Sequence, residues 1–356
     1  MKDKPNKNTK KYLLSFLVLI LLLSVTLYVI FEQFDFYEII RQIQESSHKG
    51  FLLLAGASAF LYLFFYGRFA QIGLKAFGYQ NSLIKSFVYG CADYFYAVIT
   101  PSASGGQPAV IYYMKKDGIP YSTATAVVIL QTITYKSVLL LYCILSLFVI
   151  PEVVFGSGTV FLVCFIVGMT VSATGTTICV ISLFRTRLIG KAGAVVIRWL
   201  AKLNIIKNAD GKTEAFRREL EAYKDAAAYI KGRRAVLLHL FGATLLQRTS
   251  IFIIAFFIFK SFGLSGVSVL YILCIQASVE IAVELFPIPG YVGISEVATY
   301  LLFGSIYGPN EILTAAAMLL TNGFSRYFPF IISSAVIFCK HLRMNFLAKK
   351  SIKHDA

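Results

Sequence analysis

Ionisable side chains occur inside long apolar stretches of this chain, where such residues are costly and therefore informative. If these stretches lie in a bilayer, each charge costs roughly 2.5–3.5 kcal/mol, so it faces the protein interior and usually has a partner. Glu280 and Glu284 are one helical turn apart, which places them on one helix face. The set comprises Asp93, Lys136, Arg248, Glu280, Glu284, Glu296 and Arg326.

Two interpretations of these residues remain open. In the structural one, acids and cations form buried ion pairs that fix how the helices pack. In the functional one, some of them line a polar cavity that binds a charged headgroup or carries protons. Four acids against three cations leave at least one carboxylate free for a cationic group or a proton.

Two segments rich in Pro and Gly interrupt the apolar stretches, TPSASGGQP at 100–108 and FPIPGYVGISE at 286–296. Backbone that cannot stay helical leaves unpaired N–H and C=O groups, which a membrane tolerates only inside protein or beside a water-filled cavity. Paired breaks in two halves of a chain are typical of a transporter's central site. The residues predicted to cause the breaks are Pro101, Pro108, Pro287, Pro289 and Gly293.

The glycines at the breaks, Gly105–Gly106 and Gly290 with Gly293, allow positive φ and close approach of a ligand to the backbone. Pro108 suits the first turn of a returning helix. The amides at the start of that helix, with the Ser102 and Ser104 hydroxyls, would suit a phosphate. A tight structural turn alone also explains each break.

Composition assigns the chain to the integral membrane proteins, with 57% hydrophobic residues, 15% charged residues and a mean hydropathy of +0.71. The net charge of +16 would suit nucleic acid, but thirteen of the 34 Lys and Arg lie in 185–234 and ten more lie in the two tails. This is the positive-inside pattern of a membrane protein. We therefore expect phospholipids as partners and no nucleic acid.

Motifs for other chemistry are missing from the sequence. The six cysteines have no pair spacing and the four histidines form no ligand pattern, so we expect no metal and no cofactor. Without a Walker motif we expect no ATP-driven pump, and without G-x-S-x-G no hydrolase of that class. A membrane-embedded enzyme that uses the buried acids stays open as an alternative.

The apolar runs predict an all-α polytopic fold with about six full spans, counted against the 17–25 residues a helix needs to cross. Charge bias places both termini and the basic loop in the cytoplasm. The broken regions 84–114 and 267–307 then become re-entrant hairpins of opposite sense, in an inverted-repeat arrangement. The alternative is seven or eight full spans. The predicted spans are 12–31, 51–67, 121–150, 159–184, 235–260 and 311–338, and an extension of the second through Arg68 towards Leu74 is left open.

The apolar runs and the charge bias also predict the domain boundaries. They are a basic tail at 1–11, a transmembrane domain at 12–338 and a basic tail at 339–356. The cytoplasmic loop 185–234 belongs to the transmembrane domain. Within it, 190–203 has the pattern of an interfacial helix, and 213–230 that of a solvated linker helix.

Two motifs, P-S-x-S-G-G-Q-P at 101–108 and E-x-F-P-I-P-G-x-x-G-x-S-E at 284–296, resemble the lysylphosphatidylglycerol synthase transmembrane-domain family. Its members are also called flippase-like proteins, and the likeness extends to the N-terminal flippase region of multiple peptide resistance factor. It covers nearly the whole chain, including the order of elements and the basic central loop. The matching positions are Pro101, Ser104, Gly105, Gly106, Pro108, Glu284, Pro287, Pro289, Gly290, Gly293 and Glu296.

The resemblance implies a multi-pass protein of the bacterial plasma membrane that moves lipid between leaflets, in a family linked to antimicrobial peptide resistance. The lipid it implies is aminoacylated phosphatidylglycerol, such as lysyl-phosphatidylglycerol. The expected path for a headgroup comprises Asp93, Ser104, Gly105, Gly106, Arg248, Glu280, Glu284, Gly290, Glu296 and Arg326.

One departure from the family matters. Full-length synthases carry a cytoplasmic C-terminal domain that transfers an amino acid from aminoacyl-tRNA to the lipid, and only the tail 339–356 follows the last predicted span here. We therefore expect no lysyl transfer by this chain alone. The alternatives are the membrane subunit of a synthase with a separate catalytic partner, or a transporter of a glycolipid or polyprenyl-linked intermediate. The sequence leaves the oligomeric state open.

Overall fold

A computed structural model describes residues 36–45, 48–184 and 232–354, together with isolated positions between 21 and 32 and in 214–221. These residues are helical and contain no strand. The tail 1–11, nearly all of the predicted span 12–31 and most of the loop 185–234, with its two amphipathic helices, lie outside the described residues.

The helices of the described ranges are numbered in chain order. They are α1 (Phe36–Gln44), α2 (Lys49–Ala76), α3 (Leu83–Val98), α4 (Gly106–Lys116), α5 (Tyr121–Val149), α6 (Pro151–Gly156), α7 (Thr159–Phe184), α8 (Arg234–Ser261), α9 (Val269–Val283), α10 (Ile294–Tyr307), α11 (Glu311–Asn322) and α12 (Phe328–His354).

Four helices of the described part are long and apolar enough to cross a membrane: Gly50–Ala76, Tyr121–Val149, Thr159–Ser182 and Arg234–Ser261. They coincide with four of the predicted spans. The first is longer than the predicted 51–67, because Arg68 and Lys75 do not end the helix and α2 continues to Ala76.

The predicted span 311–338 is interrupted. A π-turn at Gly323–Tyr327 separates α11 from α12, although the path stays helical. The Tyr94 hydroxyl donates a hydrogen bond to the backbone oxygen of Arg326 at 3.0 Å, so a side chain from another helix serves a carbonyl in this turn. π-turns recur at functional sites, and this one carries Arg326.

Each broken region forms a helical hairpin. In the first broken hairpin α3 and α4 pack against each other, and in the second α9 and α10 do so. Both begin with a serine N-cap: Ser82 accepts from the Lys85 amide at 3.3 Å, and Ser268 from the Tyr271 amide at 3.2 Å. A short 3₁₀ turn stands at each break, Pro101–Ala103 in the first and Pro289–Tyr291 in the second.

The two halves of the chain pack around one another. Helix α2 contacts α8 most extensively, α5 packs on α9 of the second hairpin, and α12 packs on α3 of the first. The two 3₁₀ turns contact each other. Beside them, Ile99 and Val292 are buried together against Phe95 and Phe330. This packing brings the two breaks together, although Pro101, Ser102 and Ser104 of the first break stay exposed.

Candidate functional site

A cavity of about 290 Å³ lies between the two breaks. Ala103 of the first 3₁₀ turn and Gly290 and Tyr291 of the second line it. Charged and amide side chains from α3, α5, α8, α9 and the π-turn complete the lining. The interruptions that the sequence indicated therefore border the same internal space.

Glu280 of α9 bridges two arginines in this cavity. Its Oε2 lies 3.2 Å from Nη2 of Arg326, and its Oε1 lies 3.8 Å from Nη1 of Arg248. All three side chains are largely buried, so water screens these ion pairs little. One carboxylate thus joins α8, α9 and the π-turn.

Arg248 is held by aromatic rings as well as by charge. Its guanidinium carbon lies 4.0 Å from the ring centroid of Tyr135 and 5.3 Å from that of Tyr62, both within cation–π range. Its Nε has no hydrogen-bond acceptor among the described residues. The same holds for Nε2 of Gln276, which is 8% exposed and lines the cavity. Two residues that line the cavity therefore each carry a buried donor with no acceptor among the described residues.

The negative charge of Glu284, one turn after Glu280, is neutralised by a side chain of α5. Lys136 forms an ion pair with its Oε2, and the Tyr135 hydroxyl donates to its Oε1. The Lys136 ammonium also lies 3.3 Å from the Ser172 hydroxyl of α7. Glu284 thus lines the cavity and, with Lys136, also ties α9 to α5 and α7.

Asp93 of α3 differs from these two glutamates. It lines the cavity, yet no Lys or Arg nitrogen within the described ranges lies within 4.0 Å of it. Its side chain lies against Gly106, where a Cβ would come within 2.6 Å of Oδ1. Its charge is therefore not balanced by an ion pair.

Glu296 does not line the cavity and is only 3% exposed. Its Oε2 accepts from the Gly293 amide at 2.8 Å and the Ser295 hydroxyl at 2.9 Å, and its Oε1 accepts from the Tyr327 hydroxyl at 2.6 Å. In the first of these bonds the Glu296 carboxylate, in the first turn of α10, accepts from the amide of the N-cap residue Gly293. Glu296 therefore joins the second break to the π-turn through Tyr327.

The expectation of positive φ is confirmed at one break and wrong at the other. Gly290 and Gly293 have φ of 63° and 88°. Gly105 is right-handed, with φ of −84°, and the positive values fall on Ser102 and Ala103, each 52°. Gly105 and Gly106 are required by space instead, because a Cβ at either position would meet Thr100 or Asp93 at 2.6–2.7 Å.

The structure brings six of the expected headgroup-path residues to the cavity: Asp93, Arg248, Glu280, Glu284, Gly290 and Arg326. Ser104, Gly105, Gly106 and Glu296 are not among its lining residues. The exposed Ser104 hydroxyl donates to the Pro101 oxygen at 2.9 Å, and the Gly105 amide donates to Thr100 Oγ1 at 2.8 Å. The Ser104 hydroxyl and the Gly105 amide, which we expected to contact a phosphate, thus donate their hydrogen bonds within the turn.

The predicted break residues occupy the breaks. Pro101 and Pro289 begin the two 3₁₀ turns, Pro108 lies in the first turn of α4, and Gly293 is the N-cap of α10. Pro287 lies in the irregular stretch between α9 and the second 3₁₀ turn.

Sequence reasoning missed the amide and phenol side chains of the site. Gln276, Glu280 and Glu284 follow one another at intervals of four, so a polar stripe on one face of α9 was readable. Gln131 and Tyr135 have the same spacing on α5, as do Tyr62 and Tyr66 on α2. The further lining residues missed are Gln107, Tyr94, Tyr291 and Tyr327.

Within the described ranges no group of three or more His, Cys, Asp or Glu side chains is arranged to hold a metal ion.

The model of the family described as lysylphosphatidylglycerol synthase TM region matches residues 12–333. A search of curated proteins finds no match. With its long apolar helices and this match over most of its length, the chain is a multi-pass membrane protein that belongs to the lysylphosphatidylglycerol synthase transmembrane-region family.

Proposed function

We propose that this protein is a lipid flippase that moves a phospholipid between the leaflets of the bacterial plasma membrane. Aminoacylated phosphatidylglycerol, such as lysyl-phosphatidylglycerol, is the first candidate substrate. The observation that carries the proposal is the charged cavity between two helix breaks, in a family named for synthesis of that lipid.

The size and lining of the cavity support binding of a headgroup rather than a whole lipid. A volume of about 290 Å³ is at the small end of small-molecule pockets, so the acyl chains stay in the bilayer. The unpaired donors Arg248 Nε and Gln276 Nε2 bind the phosphodiester oxygens. Asp93, which has no cationic partner among the described residues, receives a positive group of the headgroup.

The lengths of the hairpin arms support re-entrant hairpins. With 16 and 11 residues in the first hairpin and 15 and 14 in the second, each arm is at most about 24 Å long. The hydrocarbon core is about 30 Å thick, so each hairpin enters and leaves on one side. The positive-inside rule then places both termini in the cytoplasm.

The pattern of helix packing supports an inverted repeat. In each half a long helix comes first (α2 or α8), then a hairpin with a serine N-cap, and then a third helical element, α5 or α11–α12. The third element of each half packs on the hairpin of the other half. Repeats of this kind with broken helices at their interface are typical of secondary transporters.

The decisive experiment reconstitutes the purified full chain in liposomes with headgroup-labelled phosphatidylglycerol or lysyl-phosphatidylglycerol. Transfer of label between leaflets is followed by quenching from outside. We expect transfer above protein-free liposomes, faster for the lysyl lipid. Transfer of neither lipid would contradict the proposed substrate, and equal transfer of both would contradict recognition of the amino group.

Two glutamines supply a matched pair of variants. Gln276→Leu removes the unpaired donor in the cavity and is expected to slow transfer roughly tenfold, the equivalent of about 1.4 kcal/mol. Gln247→Leu removes an equally unpaired donor on a buried side chain, 2% exposed, that does not line the cavity. That variant is expected to transfer lipid at the normal rate. Equal rates in both variants would show that Gln276 makes no contact with the lipid.

A further inference from the structure

Three of the four carboxylates around the cavity have cationic partners or several hydrogen bonds, whereas Asp93 forms no ion pair with a described residue. Glu280 has two arginines, Glu284 has Lys136 and Tyr135, and Glu296 accepts three hydrogen bonds. Asp93 has no Lys or Arg nitrogen within 4.0 Å in the part of the chain that the structure describes. An isolated carboxylate in such a place is costly unless something neutralises it.

The neighbours of Asp93 cannot supply that charge. The Tyr66 hydroxyl of α2 lies beside it, and Tyr62 and Arg248 act on it from farther away. Arg248 is already engaged by Glu280 and by the ring of Tyr135. Arg326 bonds Glu280 and, through Nε, the Asn322 side-chain oxygen at 3.2 Å. The fixed cations of the cavity are thus directed at other groups.

We propose that Asp93 is the binding site of a coupling cation, a proton or Na⁺, which neutralises its carboxylate whenever the cavity holds no cationic headgroup. The site is oxygen-rich: the carboxylate, the Tyr66 hydroxyl and the Gln131 amide all border the same space. The unwound turn at Pro101–Ala103 reaches the cavity through Ala103. In secondary transporters, unwound backbone carbonyls and the C-terminal ends of broken helices coordinate Na⁺ or H⁺.

Gly106 places bare backbone, rather than a side chain, against Asp93. A Cβ at position 106 would lie 2.6 Å from Asp93 Oδ1 and 2.7 Å from the Asp93 backbone oxygen. The carboxylate therefore rests against bare backbone at the start of α4, and residue 106 adds no atom that could fill the space.

This assignment also gives the proposed flippase an energy source. The positively charged group of the lipid headgroup and the small cation compete for the Asp93 carboxylate, so each displaces the other. The lipid therefore moves in one direction as the cation moves in the opposite direction. That exchange rests on the proposed function, whereas cation binding at Asp93 does not.

Infrared difference spectroscopy of the purified full chain in lipid nanodiscs tests binding without any transport. Two exchanges are made: a pH step at constant salt, and replacement of choline by Na⁺ at constant pH. We expect a carboxyl band that changes in the wild type and is lost in Asp93→Asn. The same band is retained in Glu284→Gln, which removes a carboxylate that already has Lys136. A response to the pH step alone identifies the proton, and a response to Na⁺ identifies the metal ion.

Identical spectra for the wild type and folded Asp93→Asn would overturn the assignment. Folding is judged by gel filtration and unfolding temperature. If Asp93→Asn does not fold, Asp93→Glu keeps the carboxyl group and is expected to shift the band rather than abolish it. An unshifted band in Asp93→Glu would overturn the assignment equally.

Proteoliposomes with an imposed pH or Na⁺ gradient then test coupling. For one-to-one exchange we expect a biased distribution of labelled lipid, about tenfold for each tenfold cation gradient. Lipid that moves but ignores both gradients would overturn the coupling and leave the proposed function standing. Lipid that does not move at all would overturn the proposed function and the coupling with it, while the spectra still decide cation binding.

Discussion

Gly106 lies directly against Asp93, so closely that a Cβ on the glycine would stand 2.6 Å from the carboxylate oxygen. The two residues belong to opposite arms of the first broken hairpin, and their contact closes the hairpin beside the cavity. The glycine therefore sets the position of the acid.

Replacing Gly106 with Ala should displace the Asp93 carboxylate and slow lipid transfer. A displacement of about 1 Å in a functional site can cost on the order of 100-fold in rate. We expect lipid transfer by Gly106→Ala to be at least about tenfold slower. Gly304→Ala is the matched control, because a Cβ there meets nothing within 4 Å. Transfer assays of both variants, with gel filtration as a folding check, make the comparison. Normal transfer in Gly106→Ala would show that Asp93 tolerates movement.

Glu280→Gln should destabilise the protein strongly. The change leaves Arg248 and Arg326 facing each other without their shared counter-charge, and breaking a buried ion pair in this way costs about 3–5 kcal/mol. The surface pair Arg41–Glu45, in which both side chains are more than half exposed, offers a contrast. Glu45→Gln should cost less than about 1 kcal/mol. Unfolding titrations with sodium dodecyl sulfate in mixed micelles measure both, and similar losses would rule out a buried, unscreened network.

Lys136 and Glu284 should show strong energetic coupling in a double-mutant cycle. Lys136→Gln and Glu284→Gln each leave one buried charge alone, whereas the double variant leaves none. We expect a coupling free energy of roughly 1–3 kcal/mol by the same titrations. Lipid transfer by the double variant separates the roles: recovery means that the pair only holds α5 to α9, and continued loss means that Glu284 also acts on the substrate.

Glu296→Ala and Tyr327→Phe should weaken the same connection to different extents. The alanine variant removes the acceptor of three hydrogen bonds, including the cap of α10, and a lost cap alone costs about 1 kcal/mol. The phenylalanine variant removes only one hydrogen bond to that carboxylate and should cost less. Unfolding titrations check the order, and a larger loss for Tyr327→Phe would contradict it.

Cysteine labelling should place the two ends of each hairpin on one side of the membrane. In a chain whose native cysteines are replaced, Gln80→Cys and Lys116→Cys flank the first broken hairpin at exposed positions. Ser265→Cys and Pro309→Cys flank the second. A membrane-impermeant maleimide applied to sealed vesicles should label one pair from one side and the other pair from the opposite side. Labelling of Gln80→Cys and Lys116→Cys from opposite sides would mean that the first hairpin crosses fully.

The sequence located the cavity well because two rare features coincide there. Charges and helix breaks are both costly in an apolar segment, so their positions near 93–108 and 280–296 carried information that ordinary apolar residues do not. The long helices followed from run length alone, and α5 and α8 match the predicted bounds within a residue.

The sequence could not predict which of the charged residues form ion pairs with one another. Whether Glu280 meets Arg248, Arg326 or both depends on how helices distant in the chain pack. The same is true of Gly106, whose role is set by Asp93 on the facing arm rather than by its own φ. The one signal for the π-turn at Gly323–Tyr327 was Pro329, which has no amide to bond the Ser325 carbonyl inside the turn.

That π-turn would allow the two helices that flank it, α11 and α12, to rotate against each other. It holds one residue more than an α-turn would, so its closure into regular α-helix turns one flanking segment against the other by about 100°. Such a rotation would carry Arg326 away from Glu280 and take the Arg326 carbonyl from the Tyr94 hydroxyl. Glu280 would then face Arg248 alone, and the cavity would change its charge distribution by a shift of register within a single turn, while both hairpins remain folded.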